Sequence, residues 1–175
     1  MPGAFWLVTW TTRGSWLPGD PRGFQTWRGR EHVPPPKRYA RAGEPTYDAE
    51  PYRDRHAHAQ AISADAVRFS RAECRAVLNA VAEEINGIAI QPRIMSVAPT
   101  HAHLIARFGS LLIRPTVKRL KSAATRALPH FGLGNRPWVR GCHMRSLPDD
   151  EALANAVVYV GRHVNEDGVV YVWPE

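Results

Sequence analysis

Apolar residues recur along the chain with two different periods, which predict alternating strands and helices. Between positions 77 and 85 they repeat at helical spacing and predict a helix over 70–86. Ser70 and Glu73 have the spacing of a capping box, and Gly87 supplies the stop.

Runs of β-branched and aromatic residues predict strands at 4–12, 88–98 and 101–108. Pro92 indicates an edge position or a bulge in the second of these strands. A short Pro99-Thr100 turn separates the second strand from the third, so an antiparallel pair is the simplest arrangement.

The second half continues with a basic helix at 114–128, a strand at 138–147, a helix at 148–164 and a terminal strand at 169–173. The order of elements predicts an α+β fold, in which helices pack on an antiparallel sheet. We predict one domain over 1–175.

Residues 24–66 show no sustained periodicity and mix prolines with basic and aromatic residues. A span this long without regular elements is unusual inside a domain, so we interpret it as a Pro/Arg-rich insertion. A solvated loop and a segment that stacks on single-stranded nucleic acid both fit its composition. We do not expect His56 and His58 to bind a metal together. Their neighbours are polar and tolerate a helix, in which residues i and i+2 do not share a face, and no strand follows them.

Composition narrows the class of partner. The chain has 175 residues, a net charge of +7 and a pI near 10.0, which favours a polyanion such as nucleic acid. Cys74 and Cys142 form no CxxC motif, so we expect a reducing cytoplasm rather than a disulfide framework or a zinc–cysteine site. We expect no membrane partner, because no apolar run approaches the roughly 20 residues of a membrane span.

The candidate chemistry lies in two short motifs. His101 and His103 alternate on a strand and therefore point to one face. Tyr159 and His163 lie one turn apart on the last predicted helix. If that helix packs beside the pair, three imidazoles converge on one metal ion, and the phenol lies near a phosphate bound there.

Other residues compete for these roles. His143 is a weaker candidate for the third ligand, and Tyr171 is the rival nucleophile, although it lies past the helix. A tyrosine packed on the core and a solvated histidine at a helix end are the ordinary explanations for Tyr159 and His163.

Four residues are candidate DNA contacts. Lys118 and Lys121 on the basic helix can bind phosphates, and the alternative for that face is solvated charge. Arg13 and Trp16, which follow the first strand, can read or stack on bases.

The motifs also occur in a particular order. His101-Ala102-His103 follows Pro-Thr, and a basic helix, a Trp-x-Arg strand and a Tyr-x-x-x-His helix come after it. This order, together with the opening segment Thr9 to Asp20, resembles the single-tyrosine HUH transposases, and in particular the REP-associated tyrosine transposases and their IS200-like relatives. The resemblance covers most of the chain, and no single motif in it is highly specific.

The resemblance implies a ferredoxin-like fold with the histidine pair on a central strand. It implies an endonuclease that nicks and rejoins single-stranded DNA near hairpins through a 5′-phosphotyrosine, with Mg²⁺ or Mn²⁺ as cofactor. His101 and His103 match the paired ligands, Tyr159 matches the nucleophile, and His163 takes the place of the third ligand. An all-imidazole site would favour Mn²⁺ or a similar ion.

Family members act on DNA in the bacterial cytoplasm and include both monomers and homodimers with shared active sites. This chain departs from them at Ala102, where a bulkier apolar residue is usual. It also departs at the exit of the tyrosine helix, where relatives often have Asn-Pro and this chain has His163-Val164-Asn165-Glu166-Asp167. A weakened or domesticated module that only binds nucleic acid is therefore an alternative function. A metal hydrolase that uses water alone is another.

Overall fold

The computed structural model describes residues 4–17, 24–25, 32–33, 50–63, 66–131, 135–165 and 167–174. The chain divides into two compact units. One consists of Met1–Arg13 together with Val67–Glu175, and the other of Gly14–Ala66.

The second unit contains a two-stranded antiparallel ribbon and one helix among its described residues. The first unit contains the remaining elements. In chain order the elements are β1 (Phe5–Thr11), β2 (Phe24–Gln25), β3 (His32–Val33), α1 (Glu50–Ile62), α2 (Arg71–Asn86), β4 (Gln91–Ala98), β5 (His101–Arg107), α3 (Ile113–Arg126), β6 (His143–Leu147), α4 (Asp150–Gly161), a 3₁₀ turn (Arg162–Asn165) and β7 (Val169–Val172).

In the described part of the chain, the first unit is built on a five-stranded sheet in the order β6-β1-β5-β4-β7. All of its strand pairs are antiparallel. The strands β1, β4, β5 and β6 with α2 and α3 form a β-α-β-β-α-β unit whose strand order is that of the ferredoxin-like fold. The predicted α+β class is therefore confirmed, and the histidine pair lies on the central strand.

The two faces of the sheet carry separate cores. On one face, residues of α2 and α3 pack against alternate residues of β1, β4 and β5, including Val8, Met95 and Leu104. On the other face, α4 packs through Ala156 and Val160 against a smaller apolar cluster. That cluster comprises Leu7, Ile94, Ile105 and Leu147 from the sheet. The histidine pair shares the face of Ile105, so it faces the α4 side.

Several sequence predictions are refined. The capping box at Ser70 and Glu73 is present, and the bulge expected at Pro92 lies between Pro92 and Ile94. The helix α1 lies within residues 24–66, where no regular element was predicted, because its polar sequence carries no apolar stripe. The last helix ends at Gly161 and continues as a 3₁₀ turn, which is consistent with the low helix propensity of glycine. The strand β6 is shorter than predicted, and Trp138 makes only an isolated bridge to Thr12.

Among the described residues, no helix has the length and apolar character needed to cross a membrane.

Candidate metal centre and tyrosine

The histidine pair is held on a strand with neighbours on both sides. His103 is opposite Thr9 of β1 and Ser96 of β4, and it is only 4% exposed. Ala102, between the two histidines, faces the opposite core, where its register partner is the fully buried Trp10. A small residue therefore suits this position, because the indole of Trp10 already fills the neighbouring space.

The third histidine comes from the 3₁₀ turn that follows α4. His163 is 4% exposed, and its ring lies 4.8 Å from that of His101 and 4.7 Å from that of His103, measured between ring centroids. The rings of His101 and His103 are 4.8 Å apart, so the three form a nearly equilateral triangle. One ligand atom from each ring lies within 4.8 Å of those of the other two, close enough for the three to hold a metal ion.

The hydrogen bonds around this triangle involve the Nδ1 atom of each ring. The Nδ1 atom of His163 lies 3.1 Å from the carbonyl oxygen of Val160, which can only accept, so Nδ1 carries the proton. The Nδ1 atom of His103 lies 2.7 Å from Thr9 Oγ1, and that of His101 lies 3.2 Å from Thr100 Oγ1.

With Nδ1 of His163 protonated, Nε2 is its ligand nitrogen, and the hydroxyl contacts of His101 and His103 allow the same arrangement on their rings. The Nε2 atom of His103 is buried and has no hydrogen-bond partner. A buried polar atom without a partner is costly, and a bound cation would satisfy it. The described residues therefore fit a metal ion at this position.

The charge state of His103 also suits a ligand. Burial lowers the pKa of His103 well below its usual value, and the neighbouring His101 and His163 lower it further. A neutral imidazole is the form that binds metals. His103 is therefore ready to bind a metal at neutral pH without first losing a proton.

Tyr159 completes the cluster from the last helix. Its ring lies 5.2 Å from that of His103 and 5.3 Å from that of His163, centroid to centroid, and the residue is 37% exposed. The phenol therefore lies between the buried imidazoles and solvent. Tyr171 is opposite Met95, which belongs to the α2/α3 core, so it lies on the other face of the sheet.

The predicted DNA contacts lie in different places. Lys118 is exposed on α3, which packs on the face opposite the histidines. Lys121 donates hydrogen bonds to the carbonyl oxygens of Val139 and Gly141, at 2.5 and 2.7 Å, so its ammonium group is already engaged within the protein. Arg13 follows the end of β1 that pairs with His101, and it donates to Asn135. Trp16 belongs to the second unit.

Two residues of this site were not predicted from the sequence. Thr9 and Thr100 provide hydroxyl partners to His103 and His101. Their signal was weak, because a threonine in or beside a strand is ordinary. His143, the weaker candidate for the third ligand, is opposite Thr9 on β6 rather than in the triangle. His56 and His58 lie on α1, where they do not share a face, as expected.

Comparisons with known proteins give one structural similarity to report. No protein family and no curated protein sequence matches the chain. Among solved structures, the fold is similar to that of a REP-associated tyrosine transposase bound to a REP hairpin. The TM-score is 0.49 and the sequence identity is 11%, and the alignment covers 93% of this chain and 67% of the other.

Proposed function

We propose that this protein is a metal-dependent endonuclease and strand transferase for single-stranded DNA, of the single-tyrosine HUH type. The observation that carries the proposal is the position of the Tyr159 ring, 5.2 Å from His103 and 5.3 Å from His163, in a cluster of three imidazoles that can hold a metal. The net charge of +7 fits a nucleic-acid substrate, and the order of motifs in the sequence has the same implication.

In this proposal His101, His103 and His163 hold a divalent ion through their Nε2 atoms. We expect Mn²⁺ or Mg²⁺, and the three nitrogen ligands favour Mn²⁺ because Mg²⁺ prefers oxygen. When bound, the ion acts as a Lewis acid that draws charge from a phosphodiester oxygen.

Tyr159 then acts as the nucleophile. Its hydroxyl loses a proton, and its Oη atom attacks the phosphorus of the scissile phosphodiester. A P–Oη bond forms while the bond from phosphorus to the 3′ oxygen breaks, and that oxygen leaves as a 3′-hydroxyl after gaining a proton. The 5′ phosphate stays on Tyr159. Because the covalent link conserves the phosphodiester energy, attack by a 3′-hydroxyl on the phosphotyrosine can rejoin the strands.

The test is the covalent adduct. A hairpin oligonucleotide with a single-stranded flank, labelled on the 3′ side of the expected cut, is incubated with the protein and Mn²⁺ and separated on a denaturing gel. We expect a labelled protein–DNA band from the native protein and none from Tyr159→Phe. Tyr171→Phe is the matched control, because Tyr171 is a similarly exposed tyrosine on the opposite face of the sheet, and it should keep the band.

Other outcomes would identify the alternatives. Cleavage that survives in Tyr159→Phe would overturn the tyrosine mechanism and indicate a metal hydrolase that uses water. Binding without cleavage or adduct across a panel of hairpins and metal ions would indicate a nucleic-acid-binding module instead.

A further inference from the structure

The register of the sheet brings residues of β6 into line with the histidine pair. His103 is opposite Thr9, and Thr9 is opposite His143 on β6. Directly opposed residues of an antiparallel sheet point to the same face. His143 therefore lies in the same row as His103, two strand spacings or about 10 Å away. Arg145, two residues further along β6, shares that face.

This part of the sheet is open to solvent on the α4 side. His143 and Arg145 are exposed, and Thr9 is half-buried. The helix α4 packs on Leu147 and on Leu7, which is the register partner of Arg145. It therefore covers the sheet from that row onward, while Arg145 on the edge strand stays exposed. Among the described strands, β6 is at the edge of the sheet. A strand of nucleic acid could therefore pass over Thr9 and leave across β6 without meeting another element of the sheet.

We propose that single-stranded DNA bound at the metal site runs across β6, where Arg145 and His143 contact its backbone. For brevity we call Thr9, His143 and Arg145 the β6 face. This inference rests on the proposed function, and it differs from the α3 contact suggested by the sequence.

Charge and position together distinguish the β6 face from α3. Lys118 of α3, like Arg145, has no described ion-pair partner, but it lies on the side of the sheet opposite the histidines. On α3, Arg119 and Arg126 pair with Glu84, and Lys121 is bonded to backbone carbonyls. Arg145 makes no hydrogen bond or ion pair with any residue that the structure describes. Its guanidinium is thus a cation on the side of the metal site that no described residue neutralises, and it can form a bidentate contact with phosphate.

Acidic residues limit the direction of the path. Asp149, Asp150 and Glu151 follow β6 at the start of α4. They lie beyond Leu147, on the far side of Arg145 from the histidine row. Their charge repels a phosphate backbone, so we place the strand over His143 and Arg145 and not along the start of α4.

The experiment compares two charge reversals. Arg145→Glu is the test variant, and Lys118→Glu on α3 is the matched control, because it makes the same change in net charge on the opposite side of the sheet. Binding of a fluorescent single-stranded oligonucleotide of mixed sequence is measured by anisotropy over a range of salt concentrations in the presence of Mn²⁺. We expect Arg145→Glu to weaken binding about tenfold and to reduce the slope of log K against log salt by about 0.7, the value for one lost phosphate contact on a single strand.

The criterion is the ratio of the two effects. Each variant weakens binding by some factor. If the factor for Arg145→Glu is less than about five times the factor for Lys118→Glu, the β6 path is wrong, because general electrostatic attraction then explains both. Thermal unfolding and Mn²⁺ binding, followed by electron paramagnetic resonance, must match the native protein, which shows that Arg145→Glu leaves the fold and the histidine cluster intact. If Arg145→Ala, used where Arg145→Glu misfolds, binds as tightly as Lys118→Ala, the path is overturned as well.

This binding assay separates the path from the nicking reaction. Loss of binding specific to Arg145→Glu, without any Tyr159-dependent adduct, would keep the path and overturn the nuclease. An adduct formed by the native protein, together with unchanged binding by Arg145→Glu, would keep the nuclease and overturn the path.

Discussion

The hydroxyl of Thr9 provides a sharp test of the metal centre. Thr9 Oγ1 lies 2.7 Å from Nδ1 of His103, which is almost fully buried. Thr9→Val keeps the shape of the side chain and replaces the hydroxyl by a methyl group. A metal on Nε2 requires a proton on Nδ1, and in the variant that proton has no acceptor.

The expected magnitude follows from this geometry. A buried donor without a partner costs about 1–3 kcal/mol. This cost is paid with and without the metal, so the change in metal affinity comes from the ligand itself: loss of the hydrogen-bond partner that orients a metal ligand typically costs about 10–100-fold. In the metal-free variant either tautomer of His103 leaves its N–H without a described partner, because Nε2 has none, so we expect the unfolding free energy to fall by about 1–3 kcal/mol.

The assay is titration of Mn²⁺ into native and variant protein, with the free ion followed by electron paramagnetic resonance. Thr11→Val is the matched control, because Thr11 is two residues along β1 on the same face and makes no side-chain hydrogen bond to a described residue. We expect Thr9→Val to bind Mn²⁺ at least about tenfold more weakly and Thr11→Val to bind like the native protein. A folded Thr9→Val variant that binds Mn²⁺ within twofold of the native protein would refute the reasoning.

Three further predictions concern stability. Gly168→Ala should lower stability by about 1–3 kcal/mol and weaken Mn²⁺ binding, because the added Cβ would lie 2.6 Å from the carbonyl oxygen of His163 and 3.0 Å from that of Val97; thermal unfolding and metal titration check this. Ser70→Ala should lower the unfolding free energy in urea by about 1 kcal/mol, because Ser70 caps α2. Unchanged Mn²⁺ affinity would show that the effect is confined to the α2/α3 side of the sheet. Stability should fall as pH drops below about 6.5, since His103 then takes up a proton in the unfolded chain but resists it when folded. In urea unfolding measured over a range of pH, His103→Asn should reduce the fall in unfolding free energy below that pH. An unchanged pH dependence would show that other groups cause it.

The sheet was largely predictable from the sequence because its information is local. Alternation in β1 and β5, the capping box of α2 and the proline bulge of β4 each depend on neighbours in the chain. The shared face of His101 and His103 follows from alternation alone. These features therefore led to the correct α+β class before any long-range contact was known.

The sequence did not predict which residues far apart in the chain lie opposite each other in the sheet. The hydrogen bond from Thr9 to His103 joins residues 94 positions apart. The sequence suggested DNA contacts on α3 because basic residues cluster there. It did not show on which face of the sheet α3 packs, and that face is opposite the histidines. That placement depends on the connections between β1, β4 and β5. The helix α1 was not predicted, because it lacks the apolar stripe that a packed helix shows.

The alternation of β5 also separates stability from chemistry within one strand. Ala102, Leu104 and Ala106 point into the α2/α3 core, while His101 and His103 point to the α4 side. The core can therefore hold the backbone of the histidine pair rigid without contributing a polar group to the site. The other two elements of the site are the end of α4 and the 3₁₀ turn. They are held by the packing of Ala156 and Val160 on the smaller apolar cluster and by the close approach of Gly168 to His163. It follows that substitutions around Gly168 should disturb His163 before they disturb the pair on β5, and that the third ligand is the part of the centre most sensitive to changes outside the sheet.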